Sequence, residues 1–201
     1  MKKITVLAGF MLFLSCSYVF ADNIQLGLMA SGDAVMANFE FQGKRDFGII
    51  AAGAAIDYAR GEYTLGEGLV AFRSDQLMPG LKFGLGFKGY LGKVDSENDG
   101  ARGNVSAIAF LIEGSYELTA SLNPVPVPVE AFGAVSYAPS SLSFDETESL
   151  QEYKGGLRLY LIENAYLSIE CKYRKIEFEE SGDGTWDRDD TILSGGVTLK
   201  F

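Results

Sequence analysis

The sequence of 201 residues contains no histidine. That absence removes Ser/His/Asp, Cys/His and Asp/His machinery, because each relies on an imidazole to carry the proton. Cysteine is almost as scarce. Cys16 falls in an N-terminal leader, which leaves Cys171 without an intramolecular partner and excludes a disulfide framework. Basic charge is also short, with 17 Lys and Arg against 27 Asp and Glu and a net charge of −10. Removing Lys2 and Lys3 with the leader makes the balance more acidic still. Such a chain is not drawn to nucleic acid or to anionic headgroups by general electrostatic attraction. Long apolar runs are missing too. The longest beyond the leader, "FGIIAAGAAI" at 47–56, stops at Asp57 and is too short for a membrane-spanning helix. The chain is 47% hydrophobic, yet no long helical stripe gathers those residues into a core.

The first 21 residues carry Lys2 and Lys3, an uncharged run over 4–14, and small or polar residues leading to Val19, Phe20 and Ala21. This is the layout of a secretory signal peptide cleaved after Ala21, so 22–201 is expected as the mature domain. Lipoprotein processing at Cys16 competes with that reading, but Phe13 stands where an aliphatic residue is wanted.

Beyond the leader, period-two alternation dominates the chain. In "LKFGLGFKGYLGK", Leu81, Phe83, Leu85 and Phe87 fall on one face and Lys82, Gly84, Gly86 and Lys88 on the other. In "EYKGGLRLYL", Tyr153, Gly155, Leu157, Leu159 and Leu161 oppose Glu152, Lys154, Gly156, Arg158 and Tyr160. In "LSIECKYRKIEF", Leu167, Ile169, Cys171 and Tyr173 oppose Ser168, Glu170, Lys172 and Arg174. A soluble sandwich would alternate as well. Three features favour a closed antiparallel transmembrane β-barrel, an all-β fold. The segments are about ten residues or longer, the length a tilted strand needs to cross a bilayer. Their polar faces mix charges with glycine, as a narrow lumen requires. Their connections alternate between short and long.

Turn signals predict strands near 23–30, 34–41, 47–58, 62–73, 81–94, 105–118, 127–138, 149–161, 165–178 and 190–201. With the mature N-terminus in the periplasm, the connections at 43–46, 74–80, 119–126 and 162–164 are periplasmic. The longer, acidic stretches at 95–103, 139–148 and 179–189 then lie outside. Ten strands satisfy this pattern, with eight as the alternative if the weakly patterned first hairpin is not embedded.

The terminal "SGGVTLKF" alternates to its last residue, as a strand does when it must pair to the end. It resembles the C-terminal signature of bacterial outer-membrane proteins, polar-x-Gly-x-x-apolar-x-apolar, with Ser194, Gly196, Leu199 and Phe201 in the four places. The resemblance implies reading by the barrel-assembly machinery. "YAPSSLS" at 137–143 and "LQEYKGGLRLYLIENAYLSIECKYRKIEF" at 150–178 resemble the YfaZ-type outer-membrane proteins, which share a Tyr-Ala-Pro followed by Ser/Leu, a Tyr-x-x-Gly strand, an Ile-Glu-Asn-like turn and a Tyr-Arg-x-Ile strand. The likeness runs from about residue 129 to the end. It implies the barrel fold and an outer-membrane location, and brings no activity with it.

The expected lumen face carries Lys82, Lys88, Lys154, Arg158, Lys172 and Arg174 beside Glu113, Glu117, Glu130, Glu152 and Glu170. Glu113 and Glu117 are a carboxylate pair of the kind that does acid/base work. Pairing with cations across the lumen is the preferred reading, because buried charges must be matched. Arg158 and Glu170 are expected to meet across the 162–164 turn. Cys171 is expected to face lipid. Asp183, Asp187, Asp189 and Asp190 in "GDGTWDRDD" crowd one segment, but without EF-hand spacing they read as a solvated acidic loop rather than a metal site. No cofactor, metal or catalytic residue is expected. The partners expected are outer-membrane lipid, lipopolysaccharide and the assembly machinery. Two function classes remain open: a structural or surface-interaction barrel with a plugged lumen, and a narrow channel for ions or a small solute.

Overall fold

The alternation persists to the last residue because the last residue is hydrogen-bonded. In the computed structural model, which describes residues 22–95, 102–118, 127–180 and 184–201, the Phe201 N–H donates to the Ile24 carbonyl at 2.8 Å and the Ile24 N–H to the Phe201 carbonyl at 2.9 Å. These bonds extend the antiparallel pairing of β1 (Asn23–Ala30) with β11 (Gly184–Lys200), in which Gln25 faces Lys200 and Ala30 faces Gly195.

The remaining strands are β2 (Ala34–Arg45), β3 (Gly48–Ala59), β4 (Tyr63–Met78), β5 (Leu81–Asp95), β6 (Arg102–Glu117), β7 (Val129–Ala138), the short β8 (Ser143–Asp145), β9 (Thr147–Ile162) and β10 (Ala165–Glu180). Each long strand pairs antiparallel with the next, and β7 with β9, so ten strands close a barrel with no free edge. The first hairpin belongs to the ring, which settles the choice between ten strands and eight. Glycines at positive φ make two of the tight turns, Gly61 (φ 75°) and Gly80 (φ 79°).

Two stretches expected as loops are largely ordered. Residues 139–148 fold into a 3₁₀ turn at Ser140–Leu142 and β8, which pairs with the part of β6 that β7 does not reach. Residues 179–189 carry β10 to Glu180 and begin β11 at Gly184. The expected leader, the 119–126 connection, most of the 95–103 loop and Asp183 lie outside the described residues.

Among those residues no helix is long and apolar enough to cross a membrane. The strands instead present a continuous apolar exterior. Leu28, Ile56, Val70, Leu85, Phe87, Leu91, Phe110, Ile112, Leu157, Ile169 and Leu193 are all exposed, far more than a soluble monomer displays. Aromatic side chains rim this belt. Phe47 stacks on Phe72 (5.8 Å) toward the end that holds the termini, and Tyr153 lies against Tyr173 (6.2 Å) toward the other end.

Beyond Arg174 the polarity of the wall reverses. Ile176 and Phe178 turn inward and are buried, while Lys175, Glu177 and Glu179 turn outward. At this far end the interior is a conventional apolar core of Tyr63, Leu65, Tyr90, Val94, Val105, Leu150, Ile176 and Phe178, with Trp186 stacked on Phe178 at 4.1 Å. The barrel thus emerges from the bilayer and becomes a water-facing cylinder with a greasy centre.

Candidate functional site

Below the apolar core, six buried charges from five strands form one layer across the lumen. Arg174 of β10 lies directly opposite Glu152 of β9 and bonds it at 2.8 Å. The same guanidinium reaches Glu67 of β4 at 2.5 Å and Asp57 of β3 at 3.3 Å. Lys88 of β5 bridges Glu67 (2.8 Å) and Glu152 (2.6 Å), and Lys172 of β10 bonds Asp57 at 2.8 Å. Three cations therefore meet three carboxylates. Arg174 is 1% exposed, and every other member of the layer is buried. Tyr63 donates to Asp57 at 3.2 Å, and the rings of Tyr63 and Tyr90 lie within 6 Å of the Arg174 guanidinium. Charges held this tightly out of water persist only when matched, and here the balance is even.

Toward the termini end the charges form smaller groups. Arg73 of β4 clamps Glu40 of β2 and Glu113 of β6, each with a shortest contact of 2.5 Å. Gly84 makes room for this pair, since a Cβ there would fall 2.8 Å from Glu113 Cγ and 3.0 Å from Arg73 Cγ. Glu130 of β7 accepts from Arg158 (2.5 Å), Lys82 (3.4 Å) and the Tyr160 hydroxyl (3.3 Å). Lys154 approaches Glu170 at 3.7 Å. These groups line a cavity of about 230 Å³ that continues from the six-charge layer toward the termini end.

Among the residues expected to share the lumen, Lys88, Glu152, Lys172 and Arg174 enter the layer, and Lys82, Glu113, Glu130, Lys154, Arg158 and Glu170 line the cavity below it. Glu117 differs. It is exposed at the end of β6, faces Glu130 in the β6–β7 register, and joins no ion pair among the described residues. The carboxylate pair of Glu113 and Glu117 is therefore split, because Glu113 is taken by Arg73. Arg158 also has a different partner. Glu170, opposite Gly156, is diagonal to it on β10, within the expected placement, but Glu130 lies directly across on β7 and takes the guanidinium. Cys171 faces outward beside the exposed Leu167 and Ile169.

The acidic cluster disperses because strands alternate. Asp187 and Asp189 point out, and Asp190 points in to bond Arg188 at 2.9 Å. Among the described residues no group of three potential ligands is placed to hold a metal ion.

Sequence reasoning missed Glu40, Asp57, Glu67 and Arg73. Asp57, the charge that ends the apolar run at 47–56, was the available signal, since a lone carboxylate in a membrane strand points to an inward partner. On the closing strand, Ser194 and Gly196 face the lumen, and Leu199 and Phe201 face outward, 45% and 68% exposed.

Among solved structures the chain is similar to the KdgM porin, at 11% identity over 89% of this chain and 99% of that one, with a TM-score of 0.42. It is similar also to Neisserial surface protein A (NspA), at 12% identity over 89% and 96%, TM-score 0.40. A third likeness is to the β domain of the Bordetella autotransporter BrkA, at 15% identity over 89% and 97%, TM-score 0.33. No curated protein matches the sequence. The family described as YfaZ precursor matches residues 1–200. With that match over nearly its whole length, and with ten strands closed around a matched set of buried charges, the chain belongs to the YfaZ family and is an outer-membrane β-barrel protein.

Proposed function

We propose that this barrel serves a structural or surface-interaction role, with its lumen closed to solutes and its work done by the loops at the far end. The observation that carries the reading is the Asp57, Glu67, Lys88, Glu152, Lys172 and Arg174 layer, neutral overall and roofed by the apolar core. An ion crossing it would have to break matched pairs and then enter a greasy space, and both steps are costly. The chain has no histidine, and the lumen carboxylates Glu113 and Glu130 are engaged with cations, so the reading assigns it no catalytic role and no cofactor.

On the same reading, residues 1–21 are a signal peptide lost on export and 22–201 form the barrel. Ser194, Gly196, Leu199 and Phe201 address it to the assembly machinery. Its lasting partners are outer-membrane lipid and lipopolysaccharide. A narrow channel for ions or a small solute is the second reading, favoured by the cavity that lies below the six-charge layer. Vesicles loaded with a small fluorescent anion and carrying the refolded protein separate the two. A closed barrel keeps the dye at the rate of empty vesicles, and a channel releases it.

A further inference from the structure

We infer that the half of the lumen nearer the termini is a binding cup for a small zwitterionic solute, whose ammonium group meets Glu170 and whose carboxylate meets Lys200. The inference rests on the closed-lumen reading only in that the six-charge layer forms the floor of the cup. The cavity, at about 230 Å³, falls below the roughly 300–1,000 Å³ of pockets for drug-sized ligands, so it suits a molecule of a few heavy atoms. Its lining carries six cations and six carboxylates, which favours a guest without net charge but with two poles.

The poles are set by groups that the protein leaves unfinished. Glu170 is buried, yet its nearest cation, Lys154, stands 3.7 Å away, well beyond the roughly 2.7–2.9 Å of a charge-assisted hydrogen bond. Its Oε1 has no hydrogen-bond partner among the described residues. Ser168, two residues along the same inward face and also buried, has an Oγ likewise without a partner among the described residues. Both line the cavity. A buried carboxylate oxygen and a buried hydroxyl without partners are costly, and a primary ammonium supplies three donors to satisfy them. At the other pole, the Lys200 ammonium reaches only the Tyr160 hydroxyl at 3.5 Å and the faces of Tyr160 and Tyr166 at 4.6 and 5.2 Å. No carboxylate lies within ion-pairing distance of it among the described residues, so it is free to take one from a guest.

Water is the competing occupant, since a polar space of this size holds several molecules. Titration of the refolded full-length barrel with glycine, β-alanine and γ-aminobutyrate, read by calorimetry, distinguishes the two and varies the spacing of the guest's charges. At least one should bind saturably. Its N-trimethyl analogue, which keeps both charges but has no N–H donor, should bind at least tenfold more weakly, and acetate should not bind. Glu170→Gln should weaken the best ligand at least tenfold while the protein keeps its heat-modifiable mobility. Ser168→Ala should weaken it by a smaller factor, and serves as the test if Glu170→Gln fails to fold. Absence of saturable binding by all three amino acids, equal binding of the trimethyl analogue, or unchanged binding in a folded variant overturns the inference. A barrel that binds but leaks dye refutes closure and keeps the cup; one that is sealed and binds nothing refutes the cup alone.

Discussion

Replacing Arg174 with methionine removes one guanidinium that touches three carboxylates. Its contacts with Glu67, Glu152 and Asp57 at 2.5, 2.8 and 3.3 Å disappear together, and three carboxylates are left facing two ammonium groups. Breaking a buried ion pair costs about 3–5 kcal/mol, and the upper part of that range applies on the side roofed by Tyr63 and Tyr90, where no water can replace the lost charge. Water from the cavity below can solvate Glu67 and Glu152 in part, which draws the expected loss toward about 3 kcal/mol. The second-site variant Glu152→Gln restores the balance of charge, so the double variant should be more stable than Arg174→Met alone, with a coupling energy of about 1–3 kcal/mol. Trp186, the only tryptophan, stacks on Phe178 in the apolar core next to the layer, so urea unfolding of the vesicle-inserted barrel followed by its fluorescence reports the event directly. Arg174→Met within about 1 kcal/mol of the parent, or a double variant less stable than the single, would refute the argument that matched charge holds this layer.

Deleting Phe201 removes both hydrogen bonds to Ile24 and an outward aromatic at the closing seam, so export should continue while the heat-modifiable folded form falls sharply on SDS gels. Cys171 should react slowly with a water-soluble maleimide in the inserted barrel and quickly once unfolded, and Cys171→Arg should cost about 2–4 kcal/mol if it lies near the bilayer midplane. Phe178→Ala should cost about 3–5 kcal/mol in the same urea titration, because the ring is fully buried between Gly103 and Trp186.

The inward and outward faces were legible wherever the alternation was clean. On β5, β9 and β10 the lipid face is aliphatic or aromatic and the lumen face charged, so Lys88, Glu152, Lys172 and Arg174 could be placed from sequence. On the first half of β4 the pattern is inverted. There the inward residues Tyr63 and Leu65 are more apolar than the outward Thr64, Gly66 and Gly68, because this part of the strand enters the apolar core, and Glu67 was lost in that reversal. Partner choice was the least legible feature. Arg174 meets residues on β3 and β4 across the lumen, and that geometry follows from how the barrel closes rather than from any spacing along the chain. Arg158 shows the local version of the same limit, since Glu170 stays diagonal to it on β10 while Glu130, directly opposite on β7, takes the guanidinium.

The central claim, that the Arg174 layer closes the lumen, is tested most directly by single-channel recording of the purified, refolded protein in a planar bilayer. The account predicts no sustained conductance for the parent protein and the appearance of openings in Arg174→Met. A steady parent conductance that rises with salt and is unchanged by Arg174→Met would contradict it.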